Sequence, residues 1–274
     1  MSTLFVVATP IGNLQDLSPR AAETLRTASL IAAEDTRVSR KLLNHVSSNA
    51  RMLSYNENSP PSRLHQLLQH LESADIALVT DAGTPAISDP GAILVRDAAA
   101  AGHTVTPIAG PSAVTTALSA SGFGGDRFAF LGFPPRKKTE RLQFLTENLA
   151  LPMTTVFLEA PHRIQKTLEA ISEVEPDRAI AVCRELTKLH EEVFRGTARE
   201  ALEHFSQPRG EFVIVVGAGP AITTEISDEQ ITDAALAAFE SGLKGRAAVE
   251  QVISQTGAPR SRVYAIVLAA QKTR

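Results

Sequence analysis

A chain of 274 residues, 43% hydrophobic and 21% charged, has enough apolar material for a sizeable core and no bias toward disorder or a fibrous repeat. Its 27 basic and 30 acidic side chains leave a net charge of −3, which argues against indiscriminate polyanion binding and leaves any basic surface to be found locally. The lone cysteine, Cys183, excludes a disulfide framework and a cysteine zinc site; no apolar run approaches the ~18 residues of a membrane span, so the cytoplasm is the expected compartment.

In chain order, "LFVVA" reads as a strand and "SPRAAETLRTA" as a helix with Ser18 as N-cap and Pro19 at its first position. The strand "LIAAE" precedes the helix "SRKLLNHV". The helix "SRLHQLLQHL", with Leu64, Leu67, Leu68 and Leu71 on one face, precedes the strand "IALVT". "GAILVRDAAAAG" is a helix closed by Gly102 and followed by the strand "TVTPI". This alternation is α/β grammar and predicts a mostly parallel sheet in a first domain over residues 1–121. Beyond the Gly-rich "SASGFGGD" come "FAFLG", a basic helix, "TTVFLEA", the helix "HRIQKTLEAISEV", then "AIAVCREL", "EEVFRG" and "EFVIVVG". Strands crowded late in the unit predict a mixed sheet in a second α/β domain over 122–217. "GAGPAITTEIS" reads as a linker, and residues 228–274 as a helical appendage of three helices broken at "SGLKG" and "TGAPRS". Its last two helices fit a helix-turn-helix or a plain αα hairpin. Val249, Val252, Ile253, Val263, Ile266 and Val267 serve either.

The usual nucleotide and hydrolase signatures are absent: there is no GxxxxGK[ST] and no GxSxG. "GAGPAI" begins like a dinucleotide fingerprint, but Ile222 stands where the third glycine belongs. His65 and His70 are five residues apart and so off one helical face, and no metal is expected. Three loops at strand C-termini remain, "ATPIGN", "TDAGTPAISDPG" and "IAGPSA", the rim where open α/β sheets bind ligands. Pro, Gly and small polar residues let the backbone approach a ligand closely. Asp81 and Asp89 suit a cation better than a phosphate.

Taken together, "VATPIGNLQDLSPRA", "EDTRVSRKLL", "TDAGTPAISDPG", "IAGPSA", "EAPHRI" and "RGEF" resemble the ribosomal RNA small subunit methyltransferase I group of the tetrapyrrole methylase superfamily, with Thr80 where that group commonly has Ser. The likeness runs over nearly the whole chain. It implies a homodimer of two α/β domains that uses S-adenosylmethionine to methylate the ribose 2′-oxygen of a cytidine in the decoding region of 16S ribosomal RNA. Carried over by position, the cofactor cradle is Gly83, Thr84, Ile87, Ser88 and Asp89 in the long loop, with Ser112 and Ala113 from "GPSA". Leu131, Leu158, Glu159 and Ala160 come from the second domain. Pro10 opens a first loop, to Asn13, on the substrate side, and Asp81 either contacts the cofactor or fixes the loop through an Asx turn.

Methyl transfer to an alcohol is an in-line displacement, so the enzyme must position oxygen, methyl and sulfur, and a base can add ~10² to 10⁴-fold. Glu34 and Asp35, ending "LIAAE" with Arg37 to orient them, are candidate bases, as are Glu159 and His162 in "LEAPHRI". Arg136, Lys137 and Lys138, with Arg141, form the densest basic cluster, and Arg163, Arg184 and Lys188 are further candidates for RNA contact. For "RELTKLHEE" an ion-pair network fits as well as phosphate contact. From Lys244 onward six basic residues face Glu250 alone, so the tail reads as locally basic, with Arg260 and Arg262 foremost. A target nucleotide buried in folded RNA must be exposed, which makes the assembled small subunit the expected substrate. Two alternatives stay open: a small-molecule tetrapyrrole methylase, and a noncatalytic S-adenosylmethionine sensor that binds nucleic acid.

Overall fold

The computed structural model describes residues 2–220 and 227–272. The chain forms two compact units, residues 1–220 and 221–274. Ala221–Ile226, which include Ile222 and most of the expected linker, and Arg274 lie outside the described residues, as does the side chain of Lys272.

The first five strands form one sheet: β1 (Thr3–Val7), β2 (Leu30–Ala33), β3 (Arg51–Ser54), β4 (Ile76–Val79) and β5 (Thr104–Ile108). All its pairings are parallel, in the order β3-β2-β4-β1-β5. Between them run α1 (Pro19–Thr27), α2 (Thr36–His45), α3 (Pro61–Leu71) and α4 (Ala92–Ala100). Alternate strand residues face opposite layers. Ile31, Ala33, Ala77 and Val79 pack with Ala21, Leu25, Leu42 and Leu43 of α1 and α2, whereas Leu30, Ala32, Ile76 and Leu78 pack with Leu67, Leu71 and Leu94 of α3 and α4. Burial on both faces explains why β2 and β4 are uninterrupted apolar runs. The α1 cap is as expected, Ser18 Oγ accepting from Ala21 N at 3.1 Å with Pro19 at the first turn.

The second sheet has the order β6-β7-β10-β8-β9, from β6 (Phe128–Phe130), β7 (Thr154–Glu159), β8 (Ile180–Arg184), β9 (Glu192–Gly196) and β10 (Phe212–Val216). Only β6 and β7 are parallel, and the other pairings are antiparallel. One face is covered by α6 (Lys138–Leu149), α7 (Ile164–Val174) and α8 (Ala198–His204), with Phe157, Leu168 and Ile214 at the centre of that layer. The other face receives α5 (Ala113–Ser121). This helix leaves the last strand of the first sheet, yet Val114, Ala117 and Leu118 pack on Val156, Ala181, Cys183, Val213 and Val215 of the second. Cys183 is fully buried there, and burial pushes its thiol up to about 11, which makes it inert as a nucleophile.

Three of these elements go beyond the sequence reading, β3, α5 and α8. The seven-residue α8 is held by a capping box: Thr197 Oγ1 accepts from Glu200 N, and the Glu200 carboxylate accepts from Thr197 N at 2.7 Å. Thr197→Ala removes one half of the box and is expected to cost about 1 kcal/mol, read as a lower midpoint in urea denaturation.

The unit of residues 221–274 holds α9 (Asp228–Glu240), α10 (Gly245–Thr256) and α11 (Arg260–Lys272). Ile231, Ala235 and Phe239 of α9 form one core with Val249 and Val252 of α10 and Val263 and Val267 of α11, with Ile253 and Ile266 packed against it. The apolar faces are thus used within the unit itself. The acids of α9 change the local charge picture. Asp228, Glu229, Asp233, Glu240 and Glu250 equal in number Lys244, Arg246, Arg260, Arg262 and Lys272, and Arg262 pairs with Asp228 at 2.6 Å while Arg260 lies 3.8 Å from Glu250. Among the described residues no helix is long and apolar enough to cross a membrane.

Candidate functional site

The strand order places the exits of β1, β4 and β5 side by side. Beyond β1, Thr9 forms an isolated bridge with Gly83, Thr9 N donating to Gly83 O at 2.8 Å and Gly83 N to Thr9 O at 3.0 Å. Thr84 Oγ1 donates to Pro111 O at 3.2 Å, which ties the long loop to "GPSA". Gly83 adopts φ +80°, a conformation that costs any residue with a Cβ roughly 1–2 kcal/mol. Further along the loop that cost is borne: Ala86 and Ser88 have φ of 68° and 59°. Non-glycine residues held in this region mark loops whose shape the surroundings over-determine. Gly12 in the first loop is a close approach, because a Cβ there would collide with the Lys188 side chain and lie 2.9 Å from Thr187 Oγ1.

These loops border a cavity of about 420 Å³. Gly83, Thr84, Ile87, Ser88 and Asp89 form one side, and Ser112 and Ala113 stand at the entry to α5. Leu158, Glu159 and Ala160 come from the end of β7. Ile11 of the first loop, expected on the substrate side, lines it too, and sequence reasoning missed most of the remaining apolar wall: Val114, Phe133, Cys183, Leu186, Phe212 and Val213. Three expected members stand elsewhere. Pro10 only precedes the lining residue Ile11, Leu131 packs into the second sheet's core with its N–H on Val156 O, and Asp81 lines a neighbouring cavity.

Among the described residues no Lys or Arg lines the 420 Å³ cavity, and the acids that do are Asp89, Glu159 and Glu211. Two of these carboxylates are engaged. Glu159 is buried, accepting from Thr167 Oγ1 at 2.6 Å and Ala160 N at 2.9 Å and pairing with Arg163 Nε at 3.1 Å. Glu211 pairs with Lys188 at 2.8 Å. Asp89 has no ion-pair partner among the described residues.

The neighbouring cavity, about 560 Å³, is lined by Glu34, Asp35, Asn56, Glu57 and Asp81 among others, and Ser88 borders both cavities. Asp81 N donates to Glu34 Oε2 at 3.1 Å while Asp35 N donates to Asp81 Oδ1 at 3.1 Å, which laces the exits of β2 and β4 together. Asp35 is the N-cap of α2, and its hydrogen bonds from Arg37 hold its carboxyl down to about 2. Burial moves Glu34 and Asp81 the other way, above the usual carboxylate range. Burial, then the charge of Glu34, pushes Asp89 up to about 6. His162 is exposed in the turn before α7 and does not border either cavity. Among the described residues no group of three or more His, Cys, Asp or Glu is placed to hold a metal ion.

The basic candidates divide by what they touch. Arg163 is turned inward onto Glu159 and Pro134 O, and Arg184 pairs with Glu192 at 3.0 Å and lies 6.0 Å from the Phe205 ring centroid. Lys188 bridges Glu185 and Glu211 at 2.8 Å each, so "RELTKLHEE" holds an ion-pair network. Arg141 is buried and donates to Pro135 O and Arg136 O, fixing the turn before α6. Arg37, Arg136, Lys137 and Lys138 are exposed, Lys137 and Lys138 within reach of Glu140 and Glu173. Exposed pairs of this kind are worth ~0–1 kcal/mol and yield readily to a phosphate.

The profile of the Tetrapyrrole (Corrin/Porphyrin) Methylases family matches residues 3–202. Over 273 residues the chain is 42% identical to the ribosomal RNA small subunit methyltransferase I of Synechocystis sp., 98% of each chain being covered. The protein of that name from Thermotoga maritima is 44% identical over 219 residues, which is 79% of this chain and 98% of its own length. A crystal structure of uroporphyrin-III C-methyl transferase from Thermus thermophilus complexed with S-adenyl homocysteine shares the fold, with a TM-score of 0.57 at 15% identity, covering 79% of this chain and 97% of that one.

Proposed function

Because the chain belongs to the tetrapyrrole methylase family and, within it, to the ribosomal RNA small subunit methyltransferase I group, we propose that it methylates the ribose 2′-oxygen of a cytidine in the decoding region of 16S ribosomal RNA, using S-adenosylmethionine. The observation that carries this reading is the cavity beside the strained loop of residues 83–91: apolar for most of its wall, edged by backbone, and, among the described residues, without a lysine or arginine. Such a donor set suits a sulfonium and an adenosine and is wrong for a triphosphate, which needs cations or a nest of N–H groups.

When bound, S-adenosylmethionine supplies an electrophilic methyl group. The chain's own residues position and enclose. Gly83, Thr84 and Ser112 offer backbone and hydroxyl groups at the cavity edge, while Ile87, Phe133 and Leu158 exclude water. The cavity of Glu34, Asn56 and Asp81, which shares Ser88 with the first, takes the target ribose and its base. Its acidity disfavours a polycarboxylate macrocycle and leaves RNA phosphates to cations outside it. Arg37, Arg136, Lys137 and Lys138 serve that role, with Arg260 and Arg262 in the helical unit. The protein acts as a homodimer on the assembled small subunit. Asp35, held ionised by Arg37, is a weak base and positions the rim.

The test is transfer of labelled methyl from S-adenosylmethionine to small subunits that lack the modification, followed by nuclease digestion and mass spectrometry. The expected product is 2′-O-methylcytidine from the decoding region. Label on a base, or none despite cofactor binding, would overturn the reading.

A further inference from the structure

We propose that Asp89 is the catalytic residue that takes the proton from the 2′-hydroxyl, an inference that rests on the ribose methylation proposed above. Elimination within the cavity gives the first reason. Of its three lining acids, Glu159 is saturated by Thr167, Ala160 and Arg163, and Glu211 is paired with Lys188, which leaves Asp89 as the one whose carboxylate holds no cation among the described residues. The second reason is placement. Asp89 itself lines the cavity assigned to the methyl donor, and its two chain neighbours, Ser88 and Pro90, both line the cavity assigned to the ribose, so Asp89 lies on the loop that the two cavities share. The third is the cost of that placement: the preceding Ser88 and Ala86 are both held at positive φ, a strain of roughly 1–3 kcal/mol per residue that persists where the surroundings impose it.

The surroundings also set the proton affinity. The charged groups acting on Asp89 come from three exits of the first sheet, Glu34 after β2, Glu57 after β3 and Asp81 after β4, and all are acids. The Arg37 guanidinium is engaged by Asp35. Burial first, then Glu34, Asp81 and Glu57, raise Asp89 to about 6, against a hydrogen bond from the Thr80 hydroxyl that favours the anion. At neutral pH the group is ionised, and it is a stronger base than an ordinary aspartate, which titrates near ~3.9. Glu34 is thereby a positioning residue, acting through Asp89. In the reaction the 2′-oxygen bonds to the methyl carbon as the carbon–sulfur bond breaks. The electron pair of that bond stays with sulfur, and the hydroxyl proton passes to the Asp89 carboxylate and then to water.

The experiment compares full-length wild type, Asp89→Asn, Asp89→Glu and Glu34→Gln by three readouts: methyl transfer to small subunits across pH, calorimetric binding of S-adenosylhomocysteine, and carbon NMR of labelled aspartate carboxyls in the free protein. Asp89→Asn is expected to lose about 100-fold or more of kcat while its affinity for S-adenosylhomocysteine stays within about threefold, a ratio worth ~0.65 kcal/mol. The wild-type NMR spectrum is expected to show a carboxyl titrating near 6 that disappears in Asp89→Asn. In Glu34→Gln both that titration and the acid limb of kcat/KM move to lower pH, because a negative neighbour that favours protonation is gone. Near-normal turnover by Asp89→Asn, a binding loss that accounts for its whole defect, or an acid limb unmoved in Glu34→Gln would each overturn the proposal. Should Asp89→Asn fail to fold, the wild-type titration decides, with Asp89→Glu expected to retain measurable transfer. If wild type methylates no ribose, the functional reading falls and the inference with it; if wild type and Asp89→Asn both do so at similar rates, the inference alone falls.

Discussion

Glu159→Ala should destabilise the protein by about 3–5 kcal/mol, the usual cost of breaking a buried ion pair from one side, and should leave the affinity of the remaining folded molecules for S-adenosylhomocysteine nearly unchanged. The carboxylate is wholly buried, and removing it strands the Arg163 guanidinium, which is only 16% exposed, together with the fully buried Thr167 hydroxyl. Glu159→Gln keeps an acceptor for Thr167 and loses only the charge, so it should fall between wild type and alanine. Urea denaturation followed by circular dichroism measures the first claim and calorimetry at low urea the second. A Glu159→Ala protein as stable as wild type but unable to transfer methyl would mean that this carboxylate works on the substrate and that its network of bonds is incidental.

Filling the cavity should have the opposite signature. Ala113 is the first residue of α5 and lines the cavity beside Ser112. Ala113 packs at the edge of the core built on Val114, Ala117 and Leu118 and also borders the open cavity, into which the ring of Ala113→Phe is expected to turn. Affinity for S-adenosylhomocysteine is expected to fall at least 100-fold, about 2.7 kcal/mol, with the denaturation midpoint within about 0.5 kcal/mol of wild type. Ala113→Ser, nearly isosteric, should bind normally. Full affinity in the phenylalanine variant would place the methyl donor outside the cavity.

Much of the architecture was legible because buried parallel strands leave an uninterrupted apolar signature, as "IALV" and "LIAA" do, and because Ser18-Pro19 and Gly102 punctuate helices by their own backbone chemistry. The missed elements lacked that signature, α5 because its run of Ala, Ser, Thr and Val carries little periodic contrast. The strand β3 is an edge strand that opens on the exposed Arg51, and α8 is too short for a periodic pattern, although Thr197 and Glu200 at capping-box spacing were there to be used. In the site, the three loops announced themselves by small and turn-forming residues at strand ends. The apolar walls did not, since Cys183, Phe212 and Val213 in a sequence look like any core strand, and only the topology reveals that their strands run out against an opening. Charge was the hardest property to read. Arg163 and Arg184 are indistinguishable from surface cations until their partners Glu159 and Glu192 are located, and the affinity of Asp89 for a proton sums contributions from Glu34, Glu57 and Asp81, which only the fold brings together.

The placement of α5 has a consequence for dissection. A cut near residue 121 separates the two sheets on paper, but the helix that ends there carries Val114, Ala117 and Leu118 into the apolar face formed by Val156, Ala181, Cys183, Val213 and Val215. Severed at that point, the amino-terminal fragment would carry a greasy helix with nothing beneath it, and the carboxy-terminal fragment a sheet stripped of its cover. The halves are therefore not interchangeable modules that could be swapped between relatives at this seam. A chimera that exchanges one half must also exchange the buried residues on the opposite side of the α5 contact, or the hybrid inherits a mismatched joint.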